Sequence, residues 1–133
     1  MTRTFFRPIF SVVFALGLIA CASAGARAAE LLMFESASCE WCAVWNEEIG
    51  PIYPKTVEGK RAPLRRVDLH DPRPVDLRDI EGVRFTPTFV LLDDRGQEVG
   101  RINGYPGEDF FWGLLSQLIG KLPEEEADPL INT

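Results

Sequence analysis

Two of the chain's three cysteines, Cys39 and Cys42, are separated by two residues within the stretch SASCEWCAVW. This spacing suits a redox centre, half of a metal site or a short structural disulfide. At the start of a helix, unpaired backbone N–H groups and the positive end of the helix dipole favour a thiolate at the first cysteine. We therefore predict that Cys39 is the nucleophile and that Cys42, one turn later, resolves a mixed disulfide on Cys39.

The residues around the cysteines predict the elements that position them. The apolar run ELLMFE, residues 30–35, is typical of a buried strand that arrives directly before the cysteines. Ser38 is the predicted N-cap of a helix over residues 39–49, which Gly50 and Pro51 end. A helix that starts at the cysteines places Cys39 at its N-terminus.

The remaining sequence predicts a complete α/β domain. Residues 64–70 alternate as in a strand, residues 75–81 suit a short helix, and residues 88–92 and 98–102 flank an Asp94-Arg95-Gly96 turn as a hairpin. Residues 109–122 predict an amphipathic helix with Phe110, Leu114, Leu118 and Leu122 on one face. The order β-α-β-α-β-β-α predicts a mixed sheet flanked by helices.

The N-terminus has the pattern of a secretory signal. Arg3 and Arg7 precede an apolar run over residues 9–20, which is shorter than the roughly 20 residues of a membrane span. We expect residues 1–28 to be a cleaved signal peptide, residues 29–122 the domain, and residues 123–133 an acidic mobile tail. Alternatively, Leu18-Ile19-Ala20-Cys21 resembles a lipobox, so that a lipidated Cys21 would tether the protein to a membrane.

The net charge and the export signal limit the partners and the location that we expect for the protein. Removal of residues 1–28 takes away three arginines and no acid, so the net charge changes from −6 to −9. An acidic domain lacks the basic surface that nucleic acid requires, so no nucleic-acid partner is expected. An export signal predicts a periplasmic location, where a cysteine pair forms and keeps a disulfide.

The centre Cys39-Glu40-Trp41-Cys42 after LLMFES, together with GVRFTPTFVLLDDRGQEVGRINGY, resembles the thioredoxin family over nearly the whole domain. Among its members, small exported thioredoxin-like proteins associated with bacterial sulfur-oxidation systems are the most similar. The resemblance implies a trimmed thioredoxin fold and a thiol-disulfide oxidoreductase without a cofactor. It also implies a cis peptide at Thr86-Pro87 that faces the cysteines, where the backbone of Thr86 pairs with a substrate strand.

Several positions depart from the family pattern. Glu40-Trp41 replaces Gly-Pro between the cysteines, and Met33 stands where thioredoxin has a buried aspartate that assists proton transfer. Glu35 or water is then the candidate proton acceptor. The carboxylate of Glu40 disfavours a thiolate at Cys39, and Trp41, between the cysteines, is expected to be an exposed substrate-docking residue.

The substrate and the alternatives stay open at this point. We expect a protein or a small thiol or disulfide as substrate, and the resemblance implies a membrane-embedded electron donor that keeps the protein reduced. The alternatives are a binding or regulatory module with a passive disulfide, and a metal chaperone that holds copper on two thiolates. No resident metal is expected, since zinc needs four ligands and the chain adds only His70 to the pair. The basic cluster Lys60, Arg61, Arg65 and Arg66 is expected to be a solvated face and not a ligand site; the alternative is contact with an acidic partner.

Overall fold

A computed structural model describes residues 28–123. The expected signal peptide up to Arg27, the lipidation candidate Cys21 and the tail beyond Pro123 lie outside the described residues. The order of elements is β1 (Glu30–Glu35), α1 (Glu40–Glu48), a 3-10 helix (Tyr53–Lys55), α2 (Val57–Arg61), β2 (Leu64–Asp68), a second 3-10 helix (Val75–Leu77), β3 (Thr88–Leu92), β4 (Glu98–Asn103) and α3 (Glu108–Ile119). None of the described helices is long and apolar enough to cross a membrane.

The strands form one mixed sheet in the order β2-β1-β3-β4. β1 pairs in parallel with β2 and antiparallel with β3, and β3 pairs antiparallel with β4. The parallel pair requires a crossover, which α1 and α2 supply. The predicted mixed sheet flanked by helices is confirmed, but the second connection contains one 3-10 turn where the sequence suggested a short helix.

Both faces of the two central strands are buried, which explains why residues 31–34 of β1 and 89–92 of β3 are apolar. One face packs against α1 and α3; this disulfide-side core contains Leu31, Met33, Cys42, Trp45, Phe89 and Phe111. The other face, the opposite core, contains Leu32, Phe34, Val67, Leu77 and Val90. Successive residues of a strand alternate between these two cores.

The predicted apolar face of α3 is wrong in part. Phe110 is 71% exposed and Leu114 is also exposed, whereas Phe111, Leu115 and Leu118 are buried. Each residue turns the helix by about 100°, so a row spaced strictly by four drifts by about 40° per step. Alternating steps of four and three, as from Phe111 to Leu118, keep side chains on one line.

Candidate functional site

Cys39 and Cys42 form a disulfide at the N-terminus of α1. Their sulfur atoms are 2.04 Å apart and their Cα atoms 5.2 Å apart. Cys39, not the predicted Ser38, is the N-cap: its sulfur accepts the backbone N–H of Cys42 at 3.1 Å. The N–H of Cys39 donates to the carbonyl of Ser36 at 3.1 Å, and this turn moves the first helical residue to Glu40.

The two cysteines differ in exposure. Cys42 is only 3% exposed and belongs to the disulfide-side core with Trp45 and Met33. Cys39 is partly buried and packs against the edge of that core. An incoming molecule therefore meets Cys39 first.

The residues between the cysteines face the solvent. Trp41 is 59% exposed, so a large aromatic surface lies beside Cys39. Glu40, next to Cys39 in the chain, is also exposed. The structure thus places Trp41 outside the core, where a partner could contact it.

The loop before β3 lies against the segment that leads to the cysteines. The hydroxyl oxygens of Thr86 and Ser36 are 3.3 Å apart. The Thr86–Pro87 peptide bond is cis, and the carbonyl of Pro87 accepts the N–H of Gly104 at 2.7 Å. Phe85, which the sequence analysis did not single out, is exposed directly before Thr86.

A cavity of about 300 Å³ lies beside the disulfide. Its lining includes Cys39 and Cys42 from the start of α1, Asn46 one turn further, and the carboxylates of Glu35 and Asp68 at the ends of β1 and β2. Met33 is fully buried in the core below and brings no carboxylate there.

Arg66 joins the wall of this cavity to α1. Its guanidinium donates to the carboxylate of Glu35 at 2.7 Å and to the side-chain oxygen of Asn46 at 2.8 Å. It also lies 5.8 Å from the centre of the Trp45 ring. Arg66 is exposed, as expected for a solvated basic face, but it also makes these contacts because β2 pairs with β1 and places Arg66 opposite Met33.

A second contact fixes the other end of α1. The Tyr105 hydroxyl, in the loop after β4, donates to the carboxylate of Glu48 at 2.5 Å. Burial, and then the hydrogen bond to Glu48, raise the pKa of Tyr105. Within residues 28–123, no group of three or more His, Cys, Asp or Glu side chains is placed to hold a metal ion.

Comparison with known proteins gives the class of this site. A family profile described as a thioredoxin-like domain matches residues 18–119. The chain therefore belongs to the thioredoxin-like family. With the bonded Cys39–Cys42 pair at the helix start, it is a thiol-disulfide oxidoreductase.

Solved structures refine this class. The periplasmic thioredoxin SoxS from Paracoccus pantotrophus, in its reduced form, is 52% identical to this chain, with a TM-score of 0.66 over 70% of this chain and 97% of SoxS. This similarity confirms the narrower resemblance predicted from the sequence. A Thermus thermophilus thioredoxin shares the fold at 24% identity and a TM-score of 0.55, over 71% of this chain and 75% of that one. A comparison with curated protein sequences found no match.

Proposed function

We propose that the protein is exported and reduces disulfides of partner proteins in the periplasm, with Cys39 as nucleophile and Cys42 as resolving residue. Three observations support this proposal. The N-terminal sequence has the pattern of an export signal, the similar SoxS is described as a periplasmic thioredoxin, and the two sulfurs differ in access. The last observation carries the proposed exchange, because a partly exposed Cys39 and a buried Cys42 suit attack followed by resolution.

The reaction balances in two steps. The Cys39 thiolate attacks one sulfur of a substrate disulfide, so that a mixed disulfide forms and the first substrate thiolate leaves. Cys42 then attacks the Cys39 sulfur, the bond to the substrate breaks, and the second substrate thiolate leaves. The substrate gains two electrons and two protons, and the protein ends with the Cys39–Cys42 disulfide that the structure shows. The backbone N–H of Cys42, which points at the Cys39 sulfur, stabilises negative charge on it.

Trp41, Thr86 and Pro87 form the proposed docking surface for the substrate. Trp41 offers an exposed ring beside Cys39, and the contact between Thr86 and Ser36 holds the loop before β3 next to the cysteines. An extended substrate segment that lies along Thr86 would present its disulfide to Cys39. The exposed ring of Phe85 extends this surface.

A reductant must act on the protein after each turnover, because the reaction leaves it oxidised. We assign this role to a membrane-embedded electron donor, which the family resemblance implies for an exported protein. If Cys21 were lipidated, the protein would work from a membrane surface. The mass of the mature protein distinguishes a chain that starts at Ala29 from one that starts at a lipidated Cys21.

Trapping of mixed disulfides tests the proposal. With Cys42→Ser the second step is blocked, so Cys39 should accumulate covalent complexes with partner proteins that dithiothreitol releases. The matched control, Cys39→Ser, keeps the buried thiol and should trap almost nothing, because the more accessible cysteine is lost. Trapping by neither variant would leave a passive disulfide as the better account, and equal trapping by both would overturn the assignment of Cys39 as the nucleophile.

A further inference from the structure

We propose that Glu35 is the proton acceptor for the Cys42 thiol, acting through water in the cavity beside the disulfide. This inference rests on the proposed exchange reaction, since it concerns its second step. Cys42 must lose its proton before its sulfur can attack Cys39, and Cys42 is almost fully buried. A carboxylate in place of Met33 would lie in the same core as the Cys42 thiol, but the methionine side chain offers no carboxylate.

The alternation of β1 brings Glu35 to the correct face of the sheet. Leu31 and Met33 point into the disulfide-side core, and Glu35, two residues beyond Met33, points to the same side. Two residues of a strand span about 7 Å. The carboxylate is therefore shifted along the strand from the core to the cavity wall, where Cys42 also lies.

The cavity supplies the path for the proton. Its volume of about 300 Å³ has room for several water molecules. Cys42 and Glu35 both line it, so water in the cavity can accept the thiol proton and pass it to the carboxylate. After the substrate leaves as a thiolate, the proton returns to it or to the solvent, and the proton count of the reaction is unchanged.

A chain of polar contacts ties Glu35 to the helix that carries Cys42. Arg66 donates both to Glu35, at 2.7 Å, and to Asn46, at 2.8 Å. Asn46 follows Cys42 by one helical turn and lines the same cavity. Arg66 is thus a positioning residue that fixes the carboxylate relative to Cys42.

Asp68 is the other carboxylate of the cavity, and its contacts direct it elsewhere. It pairs with Glu35 in the register of β1 and β2, but its carboxylate accepts the backbone N–H of His70 at 2.8 Å and lies 3.5 Å from the His70 ring nitrogen Nδ1. Its side chain is 39% exposed, against 24% for Glu35. The charged or titratable neighbours of Glu35 and of the cavity are thus Arg66 and Asp68 on β2, His70 after it, and Cys39 at the N-cap of α1.

Reaction of the reduced protein with less than one equivalent of dithiobis(nitrobenzoate) separates the two steps. Attack by Cys39 releases a first coloured thiolate, and resolution by Cys42 releases a second. With Glu35→Gln, the second release should slow by at least about 10-fold near neutral pH, while the first is unchanged. Without an acceptor, the second rate should rise about tenfold for each pH unit, because it then follows the free thiolate of Cys42.

Matched variants decide the assignment. Asp68→Asn removes the other carboxylate of the cavity and should leave both releases within about twofold of the wild type. Arg66→Gln should slow the second release less than Glu35→Gln does, because the acceptor remains but is no longer fixed. Added imidazole, a soluble proton acceptor, should restore part of the second rate in Glu35→Gln and leave the wild type unchanged.

The outcomes separate the inference from the proposed function. If Asp68→Asn slows the second release as much as Glu35→Gln, or if Glu35→Gln slows both releases equally, the assignment of Glu35 is wrong. If the wild-type protein shows no second release, the proposed exchange reaction itself is contradicted. If Glu35→Gln does not fold, Arg66→Gln is compared with the wild type instead. The inference is overturned if the second release in Arg66→Gln has the same rate and the same pH profile as in the wild type.

Discussion

The disulfide-side core and the opposite core share the same strands but differ in what covers them. In the former, Trp45 of α1 packs against the rings of Tyr53, Phe89 and Phe111 at centroid distances of 6.1, 5.3 and 5.7 Å. The opposite core is mainly aliphatic and lies under a connection that contains a single 3-10 turn. The difference indicates that both cores stabilise the fold, whereas only the aromatic one holds the helix that carries the cysteines.

The largest expected effect comes from Phe111→Ala in the disulfide-side core. Phe111 is fully buried and contacts Trp45, Phe89 and Tyr105. The space left by removal of its ring should lower the free energy of unfolding by about 3–5 kcal/mol. Exchange through Cys39 should also slow, because Trp45 loses support. Urea unfolding and the dithiobis(nitrobenzoate) assay measure the two effects. Phe110→Ala, next in the chain but exposed, should change stability by less than about 0.5 kcal/mol; equal costs would contradict the assignment of the buried face.

Leu77→Ala makes the corresponding change in the opposite core. Leu77 is 1% exposed, and its truncation should cost about 2–3 kcal/mol, the lower part of the range for leucine, because a single-turn connection can collapse into the space. The exchange rate below the unfolding transition should stay unchanged. Val75→Ala, exposed on the same 3-10 turn, is the control. A clear loss of exchange rate in Leu77→Ala would remove the distinction between the cores.

Tyr105→Phe tests the contact that fixes the end of α1. Loss of the hydrogen bond to Glu48 should cost about 1–2 kcal/mol at neutral pH. Because the pKa of Tyr105 is raised in the folded protein, the unfolded tyrosine ionises first, so stability should fall as pH rises above about 10. The variant lacks this ionisation and should show a shallower decline. Unfolding curves between pH 7 and about 11 measure both effects, and parallel declines would contradict the role of Tyr105.

Trp41→Ala should have the smallest effect on stability. The ring is largely exposed, so the free energy of unfolding should change by less than about 0.5 kcal/mol. Reduction of a protein disulfide should slow, whereas reduction of dithiobis(nitrobenzoate) should not, because only the larger substrate covers the docking surface. Val57→Ala removes another exposed apolar side chain, on α2, and should affect neither reaction.

Local sequence patterns predicted most of the fold. The apolar run of β1 and the turn between β3 and β4 depend on neighbours in the chain, and the structure has both where expected. The Cys39–Cys42 pair was equally readable, since its spacing and its place after a strand are local features. The N-cap could not be read from the sequence in the same way. Ser38 is a residue type that often caps helices, but the turn from Ser36 to Cys39 makes Cys39 the cap.

The rest of the site depends on contacts between distant segments. Arg66 reaches Glu35 and Asn46 only because β2 pairs with β1 in one particular register. Thr86 reaches Ser36, in the segment that leads to the cysteines, from a loop fifty residues later in the chain. No local pattern in the basic cluster of residues 60–66 distinguishes Arg66 from its neighbours, so the sequence predicts a solvated face but not the contacts of Arg66 with Glu35 and Asn46.

The reduction potential of the Cys39–Cys42 couple tests the central claim most directly. Equilibration of the mature protein with glutathione and dithiothreitol buffers measures it. In strongly oxidising relatives, a stabilised thiolate makes the disulfide easy to reduce. The carboxylate of Glu40 beside Cys39 disfavours such a thiolate. We therefore predict a value near that of thioredoxin, about −270 mV, as expected for a reductant. A value near about −120 mV would reverse the direction, and a couple that stays oxidised well below about −300 mV would contradict the claim that this disulfide exchanges at all.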